Sequence, residues 1–184
     1  MIPNFDHNHV LPPHLGDPTA SALISPYSTT MMEVVTRFAL SKERIKILNG
    51  LLDYRARLQN LGILGGHQWL AGSFVQNIEA LENRPPKDLE IVSFLGKITE
   101  QKRRQIADSF PEIIENEVIA KTYGLDSYLV ILSDAGENIA KQTHYYSQLF
   151  THTRTNIWKG MLRLELGTIE EDEAARIFLE TRAD

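Results

Sequence analysis

The sequence predicts an α/β fold of the α+β kind: a small mixed β-sheet of about four strands, with helices packed mainly on one face. Two observations lead there. Short apolar runs bounded by Gly, Pro and Asp recur at 67–71, 88–95, 126–133 and 158–166, as strands require. Between and around them lie longer stretches whose apolar residues follow helical spacing.

Residues 1–30 read as an extended arm packed on the domain, because Pro3, Pro12, Pro13, Pro18 and Pro26 exclude a continuous helix while Ile2, Phe5, Val10, Leu11 and Leu15 supply apolar surface. Residues 31–184 form the domain itself. Met31 to Leu40 is a short helix. Ser41 then caps a longer one, with Ile45, Leu48, Leu51, Leu52, Arg55 and Leu58 at helical spacing and Gly62 at its end. His67 to Ala71 is short and apolar enough for a buried strand, ended by Gly72-Ser73, and Phe74 to Leu81 follows as a helical turn or short helix.

Asn83 to Lys87 must be a loop, since it holds Pro85 and Pro86. Asp88 to Leu95 is the clearest strand, with Leu89, Ile91 and Val92 providing β-compatible bulk. Helices are expected over Thr99 to Phe110 and Pro111 to Tyr123, the second opening on proline. Asp126 to Ser133 is a third strand, Asn138 to Phe150 a helix and Trp158 to Leu166 a fourth strand. Thr168 and Glu171 make a capping-box pattern for a last helix to about Thr181.

Length and composition narrow the function. A chain of 184 residues can bury a core without disulfides or a structural metal. The absence of cysteine removes disulfide scaffolds, Cys-based zinc sites and thiol catalysis, and fits a reducing cytoplasm. No basic start leads into an apolar run, and no stretch approaches the roughly 20 apolar residues of a membrane span. A cytoplasmic protein with no membrane partner is expected. The net charge of −5 argues against sequence-independent binding of polymeric nucleic acid, while leaving room for a basic patch that holds one nucleotide.

Chemistry concentrates between Leu70 and Phe94. Gly72 lets backbone approach phosphate oxygens, and Ser73 would add a hydroxyl and an amide at a helix N-terminus, where anions are favoured. Asp88 and Glu90, two apart on a strand, leave the same face. Hard divalent cations want such oxygen ligands, and two of them roughly 3.5–4 Å apart can activate an attacking oxygen and stabilise a leaving group. Asp126 is the best third carboxylate, its alternative role being strand entry after Gly124; Asp134 is held in reserve against a helix-capping role.

In these residues the chain resembles the nucleotidyltransferases of the DNA polymerase β superfamily, whose pattern is Gly-Ser, an intervening helix, then Asp-hydrophobic-Asp/Glu on a strand. Here that pattern is Gly72-Ser73 and Asp88-Leu89-Glu90, and the likeness spans about residues 45 to 133. Over the whole chain, the segments IPNFDHNHVLPPHLG, WLAGSF, RPPKDLEIVSF and WKGMLRLEL are similar to an uncharacterised bacterial family of small nucleotidyltransferase-like proteins. The resemblance implies transfer of a nucleoside monophosphate from a nucleoside triphosphate to an acceptor hydroxyl, with Mg2+ or Mn2+ on Asp88, Glu90 and Asp126. Two departures stand out: Glu90 replaces the commoner Asp, and no separate nucleic-acid-binding domain is visible. The second is a trait of minimal nucleotidyltransferases, some of which act on a partner protein in toxin–antitoxin or defence pairs. A catalytically inactive binding module, such as an antitoxin, is the alternative.

Lys159 and Arg154 are candidates for contacting triphosphate, the other reading of Lys159 being a solvated lysine on an edge strand. Asp6, His7, His9 and His14 have transition-metal chemistry, but an arm whose polar groups bond to the domain explains them as well. The HxH pair of amidohydrolases needs a barrel of about 250 residues, more than this chain has. The reaction site is expected at the sheet's exposed edge.

Overall fold

Five strands build one mixed sheet in the computed structural model of the chain, which describes residues 1–182. They are β1 (Tyr27–Thr29), β2 (Gly66–Ala71), β3 (Leu89–Leu95), β4 (Leu125–Ile131) and β5 (Leu162–Glu165), in the order β1-β5-β2-β3-β4. Central β2 runs antiparallel to both neighbours, whereas β3 pairs with β4, and β1 with β5, in parallel. The fifth strand, unexpected from sequence, is contributed by the arm. Its three residues are too few to show alternation, and pairing with Leu162 to Leu164 is what makes them a strand.

The last strand is shorter than Trp158 to Leu166. Lys159 and Gly160 send their amides to the carbonyls of Thr151 and Leu11, so this backbone is committed to loop and arm before the ladder begins.

Helix ends follow local chemistry. In α1 (Met31–Phe38), Thr30 and Glu33 form a reciprocal capping box; in α2 (Lys42–Asn60), the Ser41 hydroxyl accepts from the Arg44 amide at 3.3 Å. After α3 (Ile78–Glu82) and α4 (Glu100–Ser109), the expected helix over 111–123 is divided. Pro111–Ile114 forms a 3-10 turn, and Glu115 at φ −105° and ψ 86° interrupts the helical path before α5 (Asn116–Tyr123). The remaining helices are α6 (Gly136–Phe150) and α7 (Ile169–Glu180). No capping box forms at α7, because the Thr168 hydroxyl accepts from Arg55 at 2.8 Å instead.

The two sheet faces are covered unequally. Leu70, Leu89, Ile91, Leu125, Leu162 and Leu164 belong to the main core with the apolar residues of α1, α2, α5 and α7. On the opposite face Trp69, Ala71, Val92, Phe94, Val130 and Met161 lie under α6, chiefly under Phe150. The arm seals one end of the sheet: Val10 and Leu11 are fully buried, and the Asn77 amide donates to the His9 carbonyl. None of the described helices is long and apolar enough to cross a membrane.

One buried cation ties the main layer together. Arg55 of α2 donates to the Asp172 carboxylate of α7 at 2.9 Å, to the Gln68 amide oxygen of β2 at 2.8 Å and to the Glu165 carbonyl of β5 at 2.9 Å. Gln59 also donates to Asp172, and Gln68 passes a bond to Ser93 of β3. Arg55→Ala is expected to destabilise the protein by about 3–5 kcal/mol, because it strands a buried carboxylate. Urea titrations of both proteins at neutral pH check this; a loss below about 1 kcal/mol would contradict the role given to Arg55.

Candidate functional site

The register of the sheet brings the predicted residues together. Ala71 pairs with Glu90, which pairs on its other side with Asp126, so the three lie in one row across β2, β3 and β4. Asp88 stands one residue before β3 and shares the face of Glu90. That face is the thinly covered one. The row lies where β2 ends and β3 and β4 begin, which corrects the expected position: β2 and β3 are interior, and only Asp126 is on an edge strand.

Gly72 is required here twice over. Its φ is +78°, and a Cβ on it would run into the Glu90 carboxylate. Ser73 departs from expectation, because it does not open a helix. Residues 72–77 wind through a turn, and α3 begins only at Ile78 and is five residues long. Buried Arg44 takes the carbonyls that a helix would have used, donating to Phe74 at 2.7 Å and Gln76 at 2.9 Å. It also grips both Glu79 oxygens and lies against the rings of Phe38 and Phe74. On the far side Val10 of the arm bridges to Gln76.

The charges at this end of the sheet oppose one another. Burial, then the neighbouring Asp126, pushes the Asp88 carboxyl above its ordinary range, with Lys87, Arg84 and Arg154 pulling the other way. Glu90 is raised as well, by burial first; Lys159 opposes that rise, and Asp88 and Asp126 add to it. Lys159 is itself buried, donates to the Gly72 carbonyl at 3.2 Å and is brought down to about 8 by burial, against the pull of Glu90. This overturns the reading of Lys159 as a solvated edge lysine. Arg154 is exposed in the loop between α6 and β5, a compact turn in which the Thr153 hydroxyl accepts the amides of Thr155 and Ile157.

Other candidates are placed elsewhere. Asp134 follows the far end of β4 and pairs with Arg103, so the seven-residue strand separates it from the row, and no side chain caps α6. The Asp6 carboxylate is occupied by the amides of Asn8 and Val10, while the His14 ring packs on Trp158. Among the described residues no three His, Asp or Glu side chains converge as a ready-made metal site. Asp126 is near enough to raise both Asp88 and Glu90, and Asp88 to raise Glu90, so the three are electrostatic neighbours. All are hard carboxylate oxygens, chemically suited to a divalent cation, but the ligand set is not drawn together.

Two residues of this region escaped the sequence reading. Tyr128 lies two positions after Asp126 on the same face, donates to its Oδ2 at 3.0 Å and is pushed strongly upward by burial and by that carboxylate. The spacing in Asp126-Ser127-Tyr128 was a usable signal. Arg44, the clamp of the glycine turn, had none, since its partners are 30 or more positions away.

Residues 3–165 match a protein family described as "Family of unknown function (DUF6932)", and the chain belongs to that family. The match includes Gly72, Ser73, Asp88, Glu90, Asp126, Arg154 and Lys159. No curated protein and no solved structure matches the chain.

The shifts define a pH dependence. Carboxyls raised in the folded state contribute stability below their unfolded values, about 4, and lose it as pH rises through the folded values. Lys159, depressed in the folded state, contributes in the opposite limb: stability is regained as pH rises from about 8 towards 10.5. Without added metal, Asp88→Asn with Glu90→Gln should flatten the acid limb of a melting-temperature profile, and Lys159→Met the alkaline one. An unchanged profile would refute the placement. Gly72→Ala should cost about 1–3 kcal/mol through the positive φ and the contact with Glu90, as measured by chemical denaturation.

Proposed function

We propose that this protein is a metal-dependent nucleotidyltransferase that moves a nucleoside monophosphate from a nucleoside triphosphate to an acceptor hydroxyl. The observation that carries the reading is the row of Asp88, Glu90 and Asp126 on one face beside the positive-φ turn at Gly72. Its order along the chain is that of the DNA polymerase β superfamily pattern. A cytoplasmic setting accords with the cysteine-free sequence.

Asp88, Glu90 and Asp126 would hold Mg2+ or Mn2+, which supplies activation of the attacking oxygen and charge neutralisation on the leaving pyrophosphate. The chain's own residues then divide the work. Gly72 allows triphosphate oxygens to approach the backbone, and Ser73 offers a hydroxyl and an amide from the turn that Arg44 clamps. Arg154, on its ordered loop, brings a guanidinium to the triphosphate. Buried Lys159 acts from behind, holding the Gly72 carbonyl and balancing Glu90. Asp126 accepts the acceptor's proton while Tyr128 keeps its carboxylate oriented through Oδ2. The acceptor oxygen bonds to the α-phosphorus, the bond from that phosphorus to the bridging oxygen breaks, and pyrophosphate departs. A hydroxyl on a partner protein meets the same requirement.

A second reading has one observation in its favour. The carboxylates are not gathered into a ligand set, as in a catalytically inactive module that binds a partner, for instance the antitoxin of a pair.

Calorimetry with each nucleoside triphosphate, with Mg2+ or Mn2+, tests the site, and labelled nucleotide incubated with cell extract tests the reaction. Metal-dependent binding with transfer is expected. Asp88→Asn should abolish transfer while melting at least as high as wild type without ligand, and Asp126→Asn should slow transfer by about 100-fold or more. Binding without transfer would select the inactive module; no binding with either metal would end the site assignment.

A further inference from the structure

A groove of about 730 Å³ opens between the first half of α2, the loop before β3 and the end of α5. Its walls carry Lys42 and Lys46 one turn apart on α2, Lys87 before β3 and Lys121 in the last turn of α5. All four are exposed, and among the described residues none makes an ion pair. Of the two carboxylates at the groove, Asp53 is neutralised by Arg176 at 2.8 Å, which leaves Glu43 against four cations. In a chain of net charge −5, such a concentration of unpaired positive charge in one concavity selects an anionic occupant.

The floor explains the shape. Gly50 has no side chain where α2 crosses the Tyr123 carbonyl, and a Cβ there would collide with it, so the helices approach closely and the lysines stand along the crossing. The groove also adjoins the carboxylate row through the chain itself. Lys87 immediately precedes Asp88 and draws its carboxyl downward, and Gly124 closes α5 two residues before Asp126, its carbonyl bonded to the Leu89 amide.

We propose that this groove binds the terminal few nucleotides of a single nucleic-acid strand. Four lysines carried on three separate segments, α2, a loop and α5, match consecutive phosphodiesters, with base contacts unnecessary. The inference rests on the nucleotidyltransferase reading for its purpose: it makes a strand's terminal hydroxyl the acceptor. It also refines the expectation drawn from net charge. An acidic surface resists coating of long polymers, and a confined basic groove accepts a short end.

The test uses fluorescence anisotropy of a labelled single-stranded hexanucleotide, as DNA and as RNA, with the full chain over a range of salt. The expected log–log slope is about −3, from four phosphates at about −0.7 each. Lys42→Ala with Lys46→Ala should weaken binding by about tenfold and flatten the slope by about 1.4, while Lys97→Ala, beyond the far end of β3, leaves both unchanged. No binding at low salt, or binding indifferent to the groove lysines, overturns the proposal. Displacement of the hexanucleotide by a single nucleoside triphosphate at equal affinity, in metal-free buffer where the carboxylate row holds no triphosphate, overturns it too, by showing that a row of phosphates is not what the groove reads. Failure of the underlying reading looks different: the hexanucleotide binds, loses affinity in the lysine variants, and is never extended with any nucleotide and metal. Transfer to another acceptor without hexanucleotide binding removes the groove alone.

Discussion

Everything in this molecule hangs from helix α2, which is anchored by a buried arginine towards each end. Arg44 and Arg55 are about three turns apart and so project from nearly the same side of the helix. Arg55 fixes the helix to β2, β5 and α7, and Arg44 fixes the turn that follows β2. A guanidinium suits both tasks because its donors diverge in a plane and remain charged when buried, so one side chain satisfies several carbonyls and a carboxylate together. Such bonds are costly to break singly, since each partner would be left buried without a donor.

The clamp at Arg44 decides the shape of the turn after β2. Backbone carbonyls of Phe74 and Gln76 that would otherwise extend a helix are held by the side chain, and Gly72 is left in a conformation open to glycine. The turn is thus fixed by side-chain bonds from α2. Beside it, Asp88 and Glu90 resist ionisation while Lys159 resists protonation, all chiefly through burial. Charges kept near one another in a partly dry place, and incompletely matched, are a stability cost that a scaffold would have shed, and they are common where a ligand supplies the missing charge.

Unequal covering of the sheet decides where polar groups collect. The face under α1, α2, α5 and α7 is closed by aliphatic packing, whereas the face under α6 keeps its end near Glu90 and Asp126 polar. The lysine groove lies on the helical side of the same end, reached through Lys87 and Gly124. Two charged regions of opposite sign therefore meet across the strand ends.

Much of this was legible in the sequence, for physical reasons that also mark the limits. Branched and apolar bulk at Leu89, Ile91 and Val92 reports a strand because such side chains fit a pleated, buried surface, and Ser41 and Thr99 report helix starts because caps act within four residues. The same-face relation of Asp88 and Glu90 follows from the period of a strand alone. The mixed sheet, with helices mainly on one face, was legible at this level too. Tertiary structure decided whatever depends on a distant partner: the strand at Tyr27 to Thr29 exists only beside Leu162 to Leu164, and Ser73 opens no helix because Arg44, far back in the chain, holds the carbonyls after it. Thr168 caps nothing because Arg55 takes its hydroxyl, and Lys159 is buried with its ammonium on the carbonyl of Gly72, 87 positions away. Local bonding preferences are written in neighbouring residues, but a hydrogen-bonding group goes to whichever partner the completed fold brings within reach, and that choice is made only once the chain has closed on itself.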